Sequence, residues 1–211
     1  MMHGMNEPMS DGAKIPPAAL RNRGPILDEL RPRLPATGLV LEIASGSGLH
    51  AQFVAAAIPG LQWQPTDPDP DALARIAAAR ARSGLPNLLP PLRLDAAEPA
   101  SWPVARADAI VNINMIHISP WAATQGLMEG AARLLQPDGM LFLYGPYIEP
   151  DVETLPGNLA FDLDLKARNP AWGLRDLAAV KALAADHGLR FAERIAMPAN
   201  NLVVIFRKAA P

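Results

Sequence analysis

Glu42, Gly46, Gly48, Asp67 and Asp95 fall at spacings that can do chemistry on a nucleotide-type ligand. Glu42 interrupts an otherwise apolar run, Leu39–Ala44, and Ser45-Gly46-Ser47-Gly48 follows it directly. A strand that ends in a glycine-rich turn before a helix leaves backbone N–H groups exposed, and glycine lets the chain approach a ligand with no Cβ in the way. The pattern departs from both common phosphate-binding fingerprints, because Ala51 fills the third position of G-x-G-x-x-G and no G-K-[ST] is present. Asp67 stands 19 residues beyond Gly48, where a carboxylate can accept both hydroxyls of a ribose. The alternative is capping: Asp67, Asp69 and Asp71 precede an alanine-rich stretch and would stabilise the positive end of its helix. Capping accounts for Asp69 and Asp71 better than for Asp67.

These residues need strand ends to hold them, and the hydrophobic pattern supplies those. Apolar strand-like runs alternate with helical stretches, the mark of a parallel sheet covered on both faces. Strands are expected at Leu39–Ala44, Leu61–Pro65, Leu92–Leu94, Ala109–Asn114 and Met140–Tyr144. Helices are expected over Leu49–Ala57, from the TDPDPD segment to about Ala81, over Thr124–Leu135 and near Leu174–His187. Gln136-Pro137-Asp138-Gly139 reads as a turn, and GPYIEPDVETLPGN as a long loop. Leu189–Ala196 and Asn201–Arg207 read as a terminal hairpin. Residues 1–17 lack periodicity and are expected to be an arm or lid, ahead of one domain over residues 18–211.

Composition narrows the function classes. Half of the 211 residues are hydrophobic and 19% are charged, as in a globular domain. A net charge of -2 disfavours a nucleic-acid partner. Cysteine is absent, so disulfides and thiolate-bound metal centres are excluded, and no His/Asp/Glu spacing forms a convincing metal site. The first 14 residues have neither the basic nor the apolar region of a secretory leader, and no apolar run is long enough to span a bilayer. A cytoplasmic protein that avoids membranes is the expectation; whether it forms a homodimer is left open.

With these residues in view, LVLEIASGSG resembles the first motif of class I S-adenosylmethionine-dependent methyltransferases. The resemblance implies that Glu42 supports the turn or the methionine amino group. It also implies that Ala44, Ser45, Gly46 and Gly48 line the cofactor, and that Asp95 with Ala96 meets the adenine. RNRGPIL, EIASGSGLH, WQPTDPDP, NINMIHISPW, GPY and FDLDLKARNPAWGLRDL extend it to the DUF938, or methyltransferase-like 26, family from about Ala18 to Arg207. One departure is Leu20, where an acidic residue is expected ahead of Arg21-Asn22. The implied fold is Rossmann-like α/β, a mainly parallel seven-stranded sheet with helices on both faces and a C-terminal antiparallel hairpin. S-adenosyl-L-methionine would be the cofactor, S-adenosyl-L-homocysteine its product, and a small molecule the acceptor.

Further candidates lie where ligands gather outside the carboxyl ends of parallel strands. Asn114 and Met115 follow the fourth strand and would meet the methionine part, while His117 could take a proton from the acceptor. Asn22, Arg23, Tyr144, Tyr147 and Trp172 are candidates for substrate binding; each has an ordinary packing role as its alternative. Two rivals remain at this stage. An NAD(P)-binding oxidoreductase would share the glycine turn and ribose acid, and an inactive methyltransferase-fold binding module would share everything but turnover.

Overall fold

The computed structural model describes residues 17–210. The arm or lid expected over residues 1–17 lies outside them, except for Pro17, which opens helix α1 (Pro17–Leu30). After it come β1 (Gly38–Ile43), α2 (Leu49–Ala57), β2 (Leu61–Asp67), α3 (Pro70–Ser83) and β3 (Leu92–Arg93). The second half runs β4 (Ala107–Ile113), α4 (Trp121–Leu134), β5 (Leu135–Gly145), β6 (Tyr147–Ile148), α5 (Pro156–Arg168) and β7 (Arg175–Asp176). It closes with α6 (Leu177–Asp186), β8 (Leu189–Met197) and β9 (Asn201–Lys208).

Seven strands form one sheet in the order β3-β2-β1-β4-β5-β9-β8. The pairs from β3 to β5 are parallel, and β9 then runs antiparallel to both β5 and β8. The expected α/β fold with its terminal hairpin is therefore the fold observed. Because side chains alternate across a strand, the sheet divides the core in two. Leu41, Ile43, Ile110, Leu141 and Leu143 face α4 and α6 in one apolar cluster. Val40, Ala109, Val111, Phe142 and Tyr144 face α1 and α2 in the other. Strand order reverses beside β1, so the carboxyl ends of β1 and β4 flank a crevice.

Three local expectations differ from the structure. β2 continues through Pro65 to Asp67, whereas a strand end was expected at the proline. Trp63 bonds outward to the 87–89 segment, while β3 pairs only with Thr66 and Asp67, so Pro65 removes no ladder bond on that side. The Gln136–Gly139 turn is an outward irregularity within β5: pairing to β4 jumps from Leu135 to Met140, with Asp138 at φ 62°. The segment after β5 carries α5, which the hydrophobic pattern does not disclose. That helix buries only Leu165 and leaves Leu159 and Leu163 exposed, so it lacks a core-facing stripe.

Close packing fixes the loop after β3. A Cβ at Gly126 in α4 would come within about 2 Å of the Ala96 carbonyl oxygen, so only glycine lets α4 approach that loop. The Trp102 indole donates to Asp95 O at 2.8 Å and secures the loop from its other end. Gly126→Ala should therefore lower the midpoint of thermal unfolding, with a stability loss of about 1–3 kcal/mol. An unchanged melting curve would show that α4 can withdraw without cost.

Candidate functional site

Parallel pairing places the ends of β1, β2 and β4 beside one another, and short-range bonds lock the turn that follows β1. Ser45 N donates to Thr66 O at 2.7 Å, and Thr66 Oγ1 donates to Glu42 O at the same distance. Glu42 is 2% exposed, and its Oε2 accepts from Ser45 Oγ and from the Trp63 indole, both at 2.9 Å. Desolvation pushes its pKa up to about 7, although both hydrogen bonds oppose that rise. Glu42 thus supports the turn from beneath.

Asp67 is 7% exposed and spans two backbone groups. Its Oδ2 accepts from Gly46 N at 2.9 Å and its Oδ1 from Asp69 N at 3.0 Å. Asp69 is the helix cap: it accepts from Asp71 N and Ala72 N at the start of α3. The capping alternative therefore applies to Asp69, while Asp67 faces the glycine turn. A carboxylate offers about four lone-pair sites, so two remain for a ligand.

The two glycines of the turn have different tasks. Gly46 has φ +59°, and a Cβ there would meet nothing within 4 Å, so the space above it is open. At Gly48 a Cβ would press on Ile76 at 3.1 Å, so this glycine admits close contact between the start of α2 and α3. Gly48 is thus a packing residue at the site's edge. Ala44 also has positive φ, at 58°, as the chain leaves β1. Asp95 is exposed, its Oδ1 accepting from Ala97 N at 2.9 Å, and Ala96 is buried against α4.

A cavity of about 620 Å³ is lined among others by Arg21, Asn22, Asn114, Tyr144, Asn158 and Phe161, and none of residues 42–48, Asp67 or Asp95 lines it. Asn114, in the left-handed region at φ 64°, follows the carboxyl end of β4, the strand that pairs with β1. Met115 follows in a short 3₁₀ turn and packs against the core. Asn22 reaches across from α1, where His50 Nε2 lies 2.9 Å from its Oδ1. Burial and the charge of Arg23 lower the His50 pKa to about 4, so the neutral imidazole donates to that oxygen. Burial raises the Tyr144 phenol pKa, and the nearby Asn22 side chain offsets part of that rise.

His50 was missed in the sequence, although it stands two residues after Gly48 in EIASGSGLH. A polar ring in the first turn of an apolar helix is the signal that pointed to it. It joins α2 to α1 and so connects the glycine turn to the cavity wall.

Of the candidates for catalysis and substrate binding, four do not line the cavity, and of the cofactor candidates only Asn114 does. His117 is 0% exposed, on the α4 and α6 side of the sheet, its ring edge-on to Tyr147 at 5.0 Å. Neither ring nitrogen nor the Tyr147 hydroxyl has a partner among the described residues. Burial, with the charge of Arg175, lowers the His117 pKa to about 3. The physical reason is that the chain crosses the sheet after β5: Tyr144 faces α1, whereas Tyr147 enters the opposite core, where the His117 ring sits against Gly145 in space that a Cβ would fill. Arg23 lies over the Phe53 ring at 4.8 Å, and Trp172 lies under Arg168 at 5.1 Å.

Among the described residues no helix is long and apolar enough to cross a membrane. No cluster of three or more His, Asp or Glu that could hold a metal ion occurs among them.

Comparison with known proteins bears on this geometry. The model of the family described as "Protein of unknown function (DUF938)" matches residues 13–208. Among solved structures, an O-methyltransferase family protein from Burkholderia thailandensis aligns with TM-score 0.77 and 19% identity, over 92% of this chain and 58% of its own. A putative sarcosine dimethylglycine methyltransferase from Galdieria sulphuraria aligns with TM-score 0.71 and 16% identity, over 90% of this chain and 86% of its own. Human N-acetylserotonin methyltransferase, solved with S-adenosylmethionine, aligns with TM-score 0.74 and 15% identity, over 90% and 52%. This chain therefore has the methyltransferase fold, and it spans a little over half the length of the Burkholderia and human proteins.

The raised pKa of Glu42 has a sign that can be measured. Between the ordinary value of 4.5 and about 7, the folded chain holds a proton that the unfolded chain has released. Stability from this group is present at low pH and lost as pH rises through that window, by on the order of 3 kcal/mol. The two buried histidines act in the opposite direction, so the difference between wild type and Glu42→Gln isolates the carboxylate. Urea midpoints should show the variant gaining on wild type from pH 5 to pH 8; a constant difference would mean that Glu42 is ionised throughout.

Proposed function

This chain belongs to the DUF938 family, and we propose that it is an S-adenosylmethionine-dependent methyltransferase acting on a small molecule held in the cavity beside Asn114 and Tyr144. The reading is carried by the open space above Gly46, bounded by the Asp67 carboxylate at the carboxyl ends of parallel strands. The absence of a Cβ there would let the backbone approach a nucleoside closely, and the buried Asp67 carboxylate would accept its two hydroxyls. Asp95 at the end of β3 is the expected neighbour of the adenine, and Glu42 with Ser45 keeps the turn in shape for the methionine portion.

When bound, the cofactor supplies a methyl group on a sulfonium sulfur, to which the carbon–sulfur bonding pair returns as an acceptor's lone pair takes the methyl. The chain's contribution is then mainly placement. Asn114 and Tyr144 orient an acceptor beside the strand ends, and apolar walls such as Pro146 and Phe161 pack against its body. Among the described residues neither a histidine nor a carboxylate lines the cavity, and the contribution of this lining is proximity and alignment of an activated donor with its acceptor. An acceptor proton leaves to solvent.

Calorimetry with S-adenosylmethionine, S-adenosylhomocysteine and NAD(H) tests the reading directly. The first two should bind and the dinucleotide should not; the reverse would return the chain to oxidoreductase chemistry. Asp67→Ala should weaken S-adenosylhomocysteine binding by about 1–3 kcal/mol, because two ribose hydroxyls lose their acceptor. Gly46→Val should abolish binding, since a branched side chain at positive φ would fill the open space. Folded variants with undiminished affinity would make the turn purely structural.

A further inference from the structure

The cavity's polar groups are not equally available to a ligand. Asn158 Nδ2 donates to Asn200 O at 2.8 Å and to Asn200 Oδ1 at 3.1 Å, tying α5 to the turn before β9. Asn201 Nδ2 donates to Pro198 O within that same turn, and Asn22 is engaged by His50. Setting these bonded atoms aside leaves Arg21, Asn114 and the Tyr144 hydroxyl with the neighbouring Asn22 Nδ2 to face a ligand.

Among the described residues lining the cavity, Arg21 is the single cationic side chain and none is acidic. The guanidinium makes no ion pair within 4.0 Å among the described residues. Gly157 in the first turn of α5 also lines the space, and that turn has neither an acidic residue nor a side-chain cap. Its backbone dipole adds to the positive potential that Arg21 creates. The remaining walls are mostly apolar, with Ala18, Pro25, Pro146, Leu155, Phe161 and Pro198.

We propose that the acceptor is an organic carboxylate with an apolar body, anchored through Arg21 and presenting its other end to Asn114 and Tyr144. The reason is complementarity. Guanidinium and carboxylate pair through two parallel hydrogen bonds, whereas an ammonium ion would meet only like charge in this cavity. The inference rests on the assignment of the cavity to the acceptor, but its binding consequence does not require methyl transfer.

The test uses three phenolic probes: 4-hydroxycinnamate, its neutral amide of the same size and shape, and the smaller cation tyramine. Each is titrated calorimetrically into the full chain, with and without S-adenosylhomocysteine. The carboxylate should bind at least tenfold more tightly than the amide, and tyramine should bind most weakly. Arg21→Gln should erase the preference for the carboxylate while leaving affinity for S-adenosylhomocysteine within twofold. Equal binding of acid and amide, no measurable binding of the acid, or a preference that survives Arg21→Gln would overturn the proposal. So would a large loss of S-adenosylhomocysteine affinity in that variant, which would assign Arg21 to the cofactor's own carboxylate. Failure of S-adenosylhomocysteine to bind the wild-type chain refutes the methyltransferase reading instead, and the probe titrations without it still decide the question of charge.

Discussion

Taking two carboxylates out of water beside one another costs several kcal/mol per charge unless each finds donors, and the candidate site depends on how this chain meets that demand. Glu42 is satisfied by a serine of the turn and by an indole of the neighbouring strand; Asp67 is satisfied by the amide of Gly46 and that of Asp69. Each carboxylate thereby binds a strand end to the turn that follows β1. The turn holds its shape because the sheet beneath supplies the acceptors, and the sheet tolerates those acceptors because the turn supplies the donors. Removing either partner leaves a buried polar group unpaired, the costly side of any hydrogen bond.

The same sheet separates two kinds of chemistry by face. On the α1 and α2 side, His50, Asn22 and Tyr144 are linked from the start of α2 to the cavity wall. On the α4 and α6 side, His117 and Tyr147 are enclosed by apolar neighbours. A one-residue step along β5 carries a side chain from one environment to the other, so proximity in sequence to a strand end does not establish proximity to a ligand.

That distinction also marks how much was legible in the sequence. Strand positions, the seven-stranded sheet with its final hairpin, and the turn with Glu42, Gly46 and Asp67 follow from apolar runs and punctuation by Gly, Pro and Asp. Such signals are local. His117, Tyr147 and Trp172 lie beyond the ends of β4 and β5, after the left-handed Asn114 and after Gly145, where the two-residue spacing of a strand no longer says which face a side chain takes. Helix α5 was invisible for a different reason: Leu159 and Leu163 point outward and Leu165 alone is buried, so no periodic buried face distinguishes it from a loop. The pairing of Asn22 with His50 joins residues 28 positions apart on two helices, a contact that only tertiary packing creates.

Pro25 divides α1 energetically. A proline has no N–H, so the carbonyl four residues earlier, that of Arg21, loses its helical partner. Beyond the proline, Ile26, Leu27 and Leu30 are buried in the core; before it, Ala18, Leu20 and Arg21 are exposed. The front turns are therefore held less by the core than by two contacts to α2, the Asn22–His50 hydrogen bond and the Arg23 guanidinium over the Phe53 ring. One wall of the cavity is thus fastened by polar contacts alone, separately from the apolar packing that anchors the rest of the helix.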